Sequence, residues 1–356
     1  MISTYTQLGE LAEGWNALAL SAGAPFMSCE WQRSWAEAFG GEGFRWTVLH
    51  DADGSIRACT CVVHGARRLA SSTNVHSPDW DVLARDSQSR AELIDALVAA
   101  RDSRVSLQGL RADSEAAQLA ERALSEQGYR VAPVPGPFSP WLSLPDSFEQ
   151  LEADSSSSLR SQVRRRRRGL EREGQLTFRV SGGPDSLADD LETFLALEAS
   201  GWKGRDGTAI VSKPSTDKLY RGYAEGAAAQ GWLRLYMLEL DGEAIAADFG
   251  IAFAGTGVFV KTGFDESRAK LSPGLVLRAE VLRSSVEEGL TGYDFLGDPD
   301  TYKTRWTADT RPRVSLWAYR GEALPGYAYR RRLRPLLKQA RNRALDLRSR
   351  VGTAGG

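Results

Sequence analysis

A lone carboxylate interrupts an apolar strand-like run in the second half of this chain. Asp248 sits in Ala244-Ile245-Ala246-Ala247-Asp248-Phe249-Gly250-Ile251, where an ionised group is costly unless it is paired or functional. It alternates in phase with Ala244, Ala246 and Gly250, small residues that leave room for a ligand. Lys261 on the next strand is a candidate ion-pair partner; proton transfer at a reacting centre is the other reading. Glu198 is a second candidate carboxylate, and Trp202, four residues on, is placed to wall an acceptor pocket.

A different kind of chemistry is offered by Ser272-Pro273-Gly274. These residues follow a β-rich run (Val258–Phe264) and open a long amphipathic helix, and a short strand (Tyr293–Leu296) closes the unit. The first turn of a helix has unpaired N–H groups and a partial positive charge, which suits a phosphate. Ser272 is read as the N-cap, Pro273 as the first helical position, and Gly274 as the place where a ligand approaches the backbone. An ordinary helix start has the same residues, so this motif alone leaves both readings open.

His76 with Asp79 and Asp81 is the one histidine near clustered carboxylates, too few ligands for a metal site, so no metal is expected. No histidine follows Ala84, which argues against a Ser-His-Asp scheme in the second half. Net charge is −1, yet Arg160 to Glu173 holds seven Arg against two Glu, and Tyr327 to Arg350 holds nine Lys/Arg against one Asp. Such blocks suggest local binding of an anion or an acidic surface. Arg164–Arg168 point all round a helix, so they read as a solvated face paired with carboxylates or as a contact for a phosphate-rich partner.

The elements that must position these groups follow from periodicity. Trp31, Trp35 and Phe39 form one helical face, read as core packing, within residues 1–40 that look helical throughout. Trp46–His50 and Ile56–His64 flank Asp51-Ala52-Asp53-Gly54 as a hairpin. A helix near 90–101, the strand Val105–Leu110, a helix Ser114–Gln127 and a strand Tyr129–Val134 complete an α/β unit. Pro133-Val134-Pro135-Gly136-Pro137 is the expected boundary, because proline blocks both helix and central strand. Beyond it come a short strand at 141–145, the Arg-rich helix, helices Leu187–Ala199 and Thr216–Gln230, and strands Trp232–Leu240 and Glu243–Phe253. The helix after Ser272 and a last strand, Arg313–Tyr319, follow. At 356 residues, 42% hydrophobic and 26% charged, with ten Trp, the chain reads as two globular domains. The absence of a signal-like start or a long apolar run, and an odd count of three cysteines, make a cytoplasmic location the expectation. Cys59 and Cys61 are expected to face one side as small core residues.

The strings LEASGWKGRDGTAI (197–210), GWLRLYMLELDGEAIAADFGI (231–251), KTGFDESRAKLSPGLVLRAE (261–280) and YDFLGDPDTYKTRW (293–306) resemble the GNAT acyltransferases, in their CelD-type, FemAB-like branch. The resemblance implies an α/β (α+β) protein of two GNAT-like domains, each a mixed, largely antiparallel sheet flanked by helices. The implied division is 1–135 as a degenerate first domain, 136–322 as the catalytic domain and 323–356 as a basic tail. It implies an N-acyltransferase that moves an acyl group from acyl-CoA to an amine of a small acceptor, such as an amino sugar or nucleotide-sugar, in polysaccharide or cell-envelope chemistry. FemABX relatives imply an alternative, peptide-bond formation from aminoacyl-tRNA. A third reading is a non-catalytic scaffold of a polysaccharide machine at the inner membrane face, with 327–350 as a basic amphipathic contact.

By that resemblance, coenzyme A would rest on Lys261, Arg268, Lys270, Ser272, Pro273, Gly274 and Leu275, although the family's loop carries more glycine than Arg268–Gly274 does. The acyl carbonyl would enter a gap between Val258–Phe264 and Tyr293–Leu296. Tyr302 would protonate the leaving thiolate, and Asp248, with Glu198 as second choice, would act as general base. Trp202, Lys203, Asp294 and Lys303 would contact the acceptor. Its identity, the acyl length and the oligomeric state are not legible.

Overall fold

A computed structural model describes residues 1–99 and 102–333; the basic segment 327–350 therefore lies mostly outside the described residues. In the first half, β1 (Ile2–Tyr5), α1 (Ala12–Ala22) and α2 (Cys29–Trp35) precede β2 (Phe44–His50), β3 (Ile56–Gly65), β4 (Arg68–Ser71) and the short β5 (Leu83–Ala84). Then come α3 (Ser87–Ala99), β6 (Arg104–Arg111), α4 (Glu115–Glu126) and β7 (Arg130–Ser143). The expected β2–β3 hairpin forms, with Trp46 opposite Cys61. Residues 2–5, read as helical, are instead a strand against β2. Their alternation of exposed and half-buried positions marks an edge strand whose weak pattern periodicity missed.

The second half begins with α5 (Phe148–Asp154), α6 (Ser157–Glu171), β8 (Leu176–Ser181), α7 (Leu187–Ser200), α8 (Trp202–Arg205) and α9 (Pro214–Ala229). The meander β9 (Leu233–Leu240), β10 (Glu243–Phe253) and β11 (Thr256–Phe264) follows, then α10 (Pro273–Glu287), β12 (Gly292–Asp294), α11 (Thr301–Thr304), β13 (Thr310–Tyr319) and α12 (Leu324–Ala328). Strand β8 is an addition to the sequence reading: it edges the sheet beside β9. No helix among the described residues is long and apolar enough to cross a membrane.

All strands join one mixed, mostly antiparallel sheet in the order β1-β2-β3-β4-β6-β13-β7-β12-β11-β10-β9-β8, with β5 on β3. Two features of the seam were not expected. Strand β13 does not close the second half; it inserts between β6 and β7, pairing Trp317 with both Ser106 and Ala132. And the proline run, expected to interrupt the chain, lies inside the 14-residue β7. Pro133, Pro135 and Pro137 recur every second residue, so their missing N–H groups fall on one edge. Over that stretch β7 has β13 as its single partner, and the other edge needs no donors.

Trp31 is fully buried and meets Tyr223 of α9 edge-to-face at 4.6 Å, so the tryptophan stripe is core, shared by both halves. Cys29, Cys59 and Cys61 are buried and free, and burial raises the pKa of each thiol. On α6, Arg164 reaches Glu152 and Arg167 pairs with Glu171 and Glu280, while Arg166 donates to the carbonyl of Lys270. The arginine run thus straps α6 to the middle of α10 and to the turn before it.

Candidate active site

The site opens where two parallel strands part. β11 and β12 pair only through Thr256–Gly292, Gly257–Tyr293 and Val258–Asp294. Asp294 then ends β12 by accepting from the N–H of Leu296 at 2.8 Å, and Leu296 takes a left-handed backbone (φ 49°). The chain turns toward β7, with the Phe295 N–H donating to the Pro140 carbonyl at 3.0 Å. Phe259–Phe264 keep β10 as their one partner strand, and a bulge near Val260 shifts their register. A cavity of about 700 Å³ occupies the divergence. Its walls are β11, the start of α10, Phe295–Gly297, α11, the end of α7 and, from the first half, Val75, His76 and Pro78.

One wall faces α10. Ser272, Pro273, Gly274 and Leu275 line it. Pro273 does occupy the first helical position; Ser272 is at the N-cap position but has a left-handed backbone (φ 50°) and makes no side-chain cap. Its hydroxyl therefore leaves the first-turn N–H groups uncapped. A Cβ built on Gly274 would meet no atom within 4 Å, so space stands open over that turn. Arg268 and Lys270 are not on the cavity wall: Arg268 pairs with Glu173 at 2.6 Å and Asp265 at 3.3 Å, and Lys270 is exposed.

Asp248 lies one layer behind this wall, 1% exposed, and does not reach the cavity. Its partner is Arg278 of α10, at 2.7 Å, and not Lys261. Register gives the reason. Asp248 is opposite Thr262 and Lys261 is opposite Phe249, so the two charged side chains point to opposite faces of the sheet. Burial raises the Asp248 pKa and Arg278 opposes that rise. Arg278, itself 6% exposed, does line the cavity; it donates to the Tyr293 hydroxyl at 2.5 Å and lies 4.0 Å over the Phe259 ring. Tyr302, 47% exposed, stands beside it on the cavity wall. Crowding by the walls pushes its phenol up to about 12, against a small opposing pull from Arg278. It is therefore a proton donor across the neutral range.

The other wall faces α7. Gly263 permits it, since a Cβ there would strike the Glu198 and Leu197 backbone within 2.7 Å. Glu198 is buried, with Oε2 accepting from the Ile210 N–H at 2.8 Å and Oε1 3.2 Å from the Lys203 ammonium. Lys203 also donates to the Thr262 carbonyl at 2.6 Å. Lys261 and His76 share this wall. The His76 Nδ1 is 3.4 Å from the Tyr220 hydroxyl. Burial first, then Lys261 and Lys213, lower the His76 pKa to about 4.

Of the remaining expected acceptor contacts, Lys303 lines the cavity but spends its ammonium on the Leu296 and Asp298 carbonyls, at 2.8 and 3.3 Å. Asp294 does not line it. Its carboxylate accepts from Ser139 and faces Arg313 at 3.7 Å, because the turn that ends β12 directs it into the seam. The side chain of Trp202 lies outside the described residues. Sequence reasoning missed Arg278, hidden in an amphipathic helix, and gave His76 no role once it had set aside a metal site with Asp79 and Asp81. Asp79 in fact pairs with Arg313, and the described residues hold no group of three metal-type ligands.

Comparison with known proteins agrees with this geometry. Residues 157–304 match the acetyltransferase (GNAT) domain family. Comparison with curated proteins yields no match. A conserved protein from Bacteroides thetaiotaomicron superimposes with a TM-score of 0.59 at 14% identity, covering 90% of this chain and 100% of that one. The C-terminal domain of a putative lysylphosphatidylglycerol synthetase from Agrobacterium fabrum does so at 0.55 and 13%, covering 86% and 91%. FemX does so at 0.53 and 14%, covering 83% and 92%. Residues 157–304 are thus matched by sequence to a GNAT domain, and the chain as a whole shares its fold with FemX.

Proposed function

We propose that the protein transfers an acyl group from acyl-CoA to the amine of a small acceptor, such as an amino sugar or nucleotide-sugar. One observation carries the proposal: the β11–β12 divergence opens into a cavity between an uncapped helix N-terminus and a protonated tyrosine. The first turn of α10 would take the donor's pyrophosphate, and the open space over Gly274 would admit it. The acyl carbonyl would lie between the parted strands, where β11 has no neighbour on that side.

In the transfer, the amine nitrogen bonds to the acyl carbon and the carbon–sulfur bond breaks. Tyr302 gives its proton to the departing thiolate, and the proton from nitrogen passes to Glu198, the carboxylate on the cavity wall. Asp248 serves this chemistry as a positioning residue, because it holds Arg278 against the cavity. Incubating the protein with acyl-CoAs of graded chain length and an amine panel, and measuring free thiol, tests the reading. Thiol release above the amine-free rate supports it; none with any donor, together with no thermal shift by any acyl-CoA, removes it.

A second reading, aminoacyl transfer from aminoacyl-tRNA, draws on the fold likeness to FemX and to the lysylphosphatidylglycerol synthetase domain. Against it, Arg164 and Arg167 of α6 are already ion-paired within the protein. Salt-sensitive binding of tRNA, with no response to acyl-CoA, would favour this second reading.

A further inference from the structure

Two walls of the cavity differ in how their cations are used. Among the cationic side chains that line it, Lys203 is held by Glu198 and the Thr262 carbonyl, Arg278 by Asp248 and Tyr293, and Lys303 by Asp300 and two carbonyls. Arg305 is exposed to solvent. Lys261 alone among these is partly buried with no hydrogen bond or ion pair to the described residues. Its place follows from register: opposite Phe249, it projects to the α7 side, the side of Glu198 and His76 and away from the α10 N-terminus. A partly desolvated cation without a counter-charge is costly unless a ligand supplies one. Burial first, then Lys203 and Lys303, lower the Lys261 pKa, and Glu198 partly offsets them, so an anion brought here would relieve the crowding of positive charge. His76 beside it is neutral at pH 7 and leaves the positive field intact.

We propose that the acceptor carries an anionic group, a carboxylate or phosphate, close to its reactive amine, and that Lys261 binds it. This rests on the transfer reading above and narrows it: a plain neutral amino sugar would leave Lys261 unmatched. The α7 wall would then orient the acceptor by its anion, with the amine toward Glu198 and the parted strands. Lysine suits this role as a compact point charge able to meet either kind of anion.

Matched amine pairs test the proposal: phosphoethanolamine against ethanolamine, and glycine against glycinamide. Acetyl-CoA is the donor, and free thiol the readout. The anionic member of at least one pair is expected to have a kcat/KM at least ten-fold higher. Lys261→Gln should abolish that preference, mainly through KM, and Lys261→Arg should keep most of it. The pair that shows the effect says whether carboxylate or phosphate is read. Equal use of both members by the parent protein overturns the proposal, as does an undiminished preference in Lys261→Gln. Failure of the transfer reading is seen separately, as no thiol release with any amine. Thermal shift then decides: stabilisation by phosphoethanolamine or glycine over its neutral partner, lost in a folded Lys261→Gln, supports the anion site, and its absence overturns it.

Discussion

Arg278 and Arg313 are both buried, and each is ion-paired to aspartate on another element. Arg278 joins α10 to β10 and keeps one side on the cavity. Arg313, on the exchanged strand β13, reaches back to Asp79 in the first half and to Asp294 at the end of β12. Its two aspartates flank it from both halves, with a 3.0 Å contact from Nη2 to Asp79 Oδ2 and 3.7 Å to Asp294, away from the cavity. The two clamps use the same residue types at similar burial. What separates them is whether the guanidinium has a face left for a ligand, so one is expected to serve chemistry and the other cohesion.

Breaking the seam should have the larger effect. Arg313→Met would leave Asp79 and the buried Asp294 without their counter-charge, and about 3–5 kcal/mol of stability should be lost, read from the denaturant midpoint. Asp248→Asn should instead leave a folded protein in which Arg278 is held less firmly, with transfer slowed by roughly 10²-fold. If both variants lose stability alike and Asp248→Asn keeps full turnover, the contrast between the clamps fails. Tyr302→Phe removes a proton donor and little packing, since the side chain is half exposed. Turnover should again fall roughly 10²-fold, about 2.7 kcal/mol of barrier, at an unchanged midpoint. A Cβ at Gly274 meets no protein atom within 4 Å, so Gly274→Ala should fold normally while raising the KM for acyl-CoA, by up to about ten-fold.

The smallest expected effect is one of pH. His76 ionises near 6.5 when unfolded and at about 4 in the folded chain. Below pH 6.5 the unfolded chain takes up a proton that the folded one refuses, so this group costs stability as pH falls from 6.5 to 4. Asp81, raised to about 6 by burial, slopes the other way in that window, but it is common to parent and variant. His76→Gln should therefore lose less stability than the parent between pH 7 and 5, by urea midpoints at both.

Much of the second half was legible because its signals are local. The strands Trp232–Leu240 and Glu243–Phe253 and the helix start at Pro273 each depend on neighbours within a few residues, and each formed, the first strand from Leu233. The tryptophan stripe of α2 is buried as its spacing required. The partners of charged groups were not legible. Asp248 was matched to Lys261 because the strands adjoin, yet one residue of register places them on opposite faces. Arg278 was overlooked because a lone arginine in an amphipathic helix reads as a surface residue.

By itself, then, the sequence determined the strand–helix–strand unit with Pro273 opening its helix, and the place of the tyrosine beyond it. Those features follow from backbone propensity and side-chain period, which act over short separations. Only the tertiary structure decided that β13 crosses into the first half, that His76 enters the cavity from there, and that Asp248 holds Arg278 while Lys261 faces open space. These are pairings across tens to hundreds of residues, fixed by sheet register and strand order, and no local pattern encodes them.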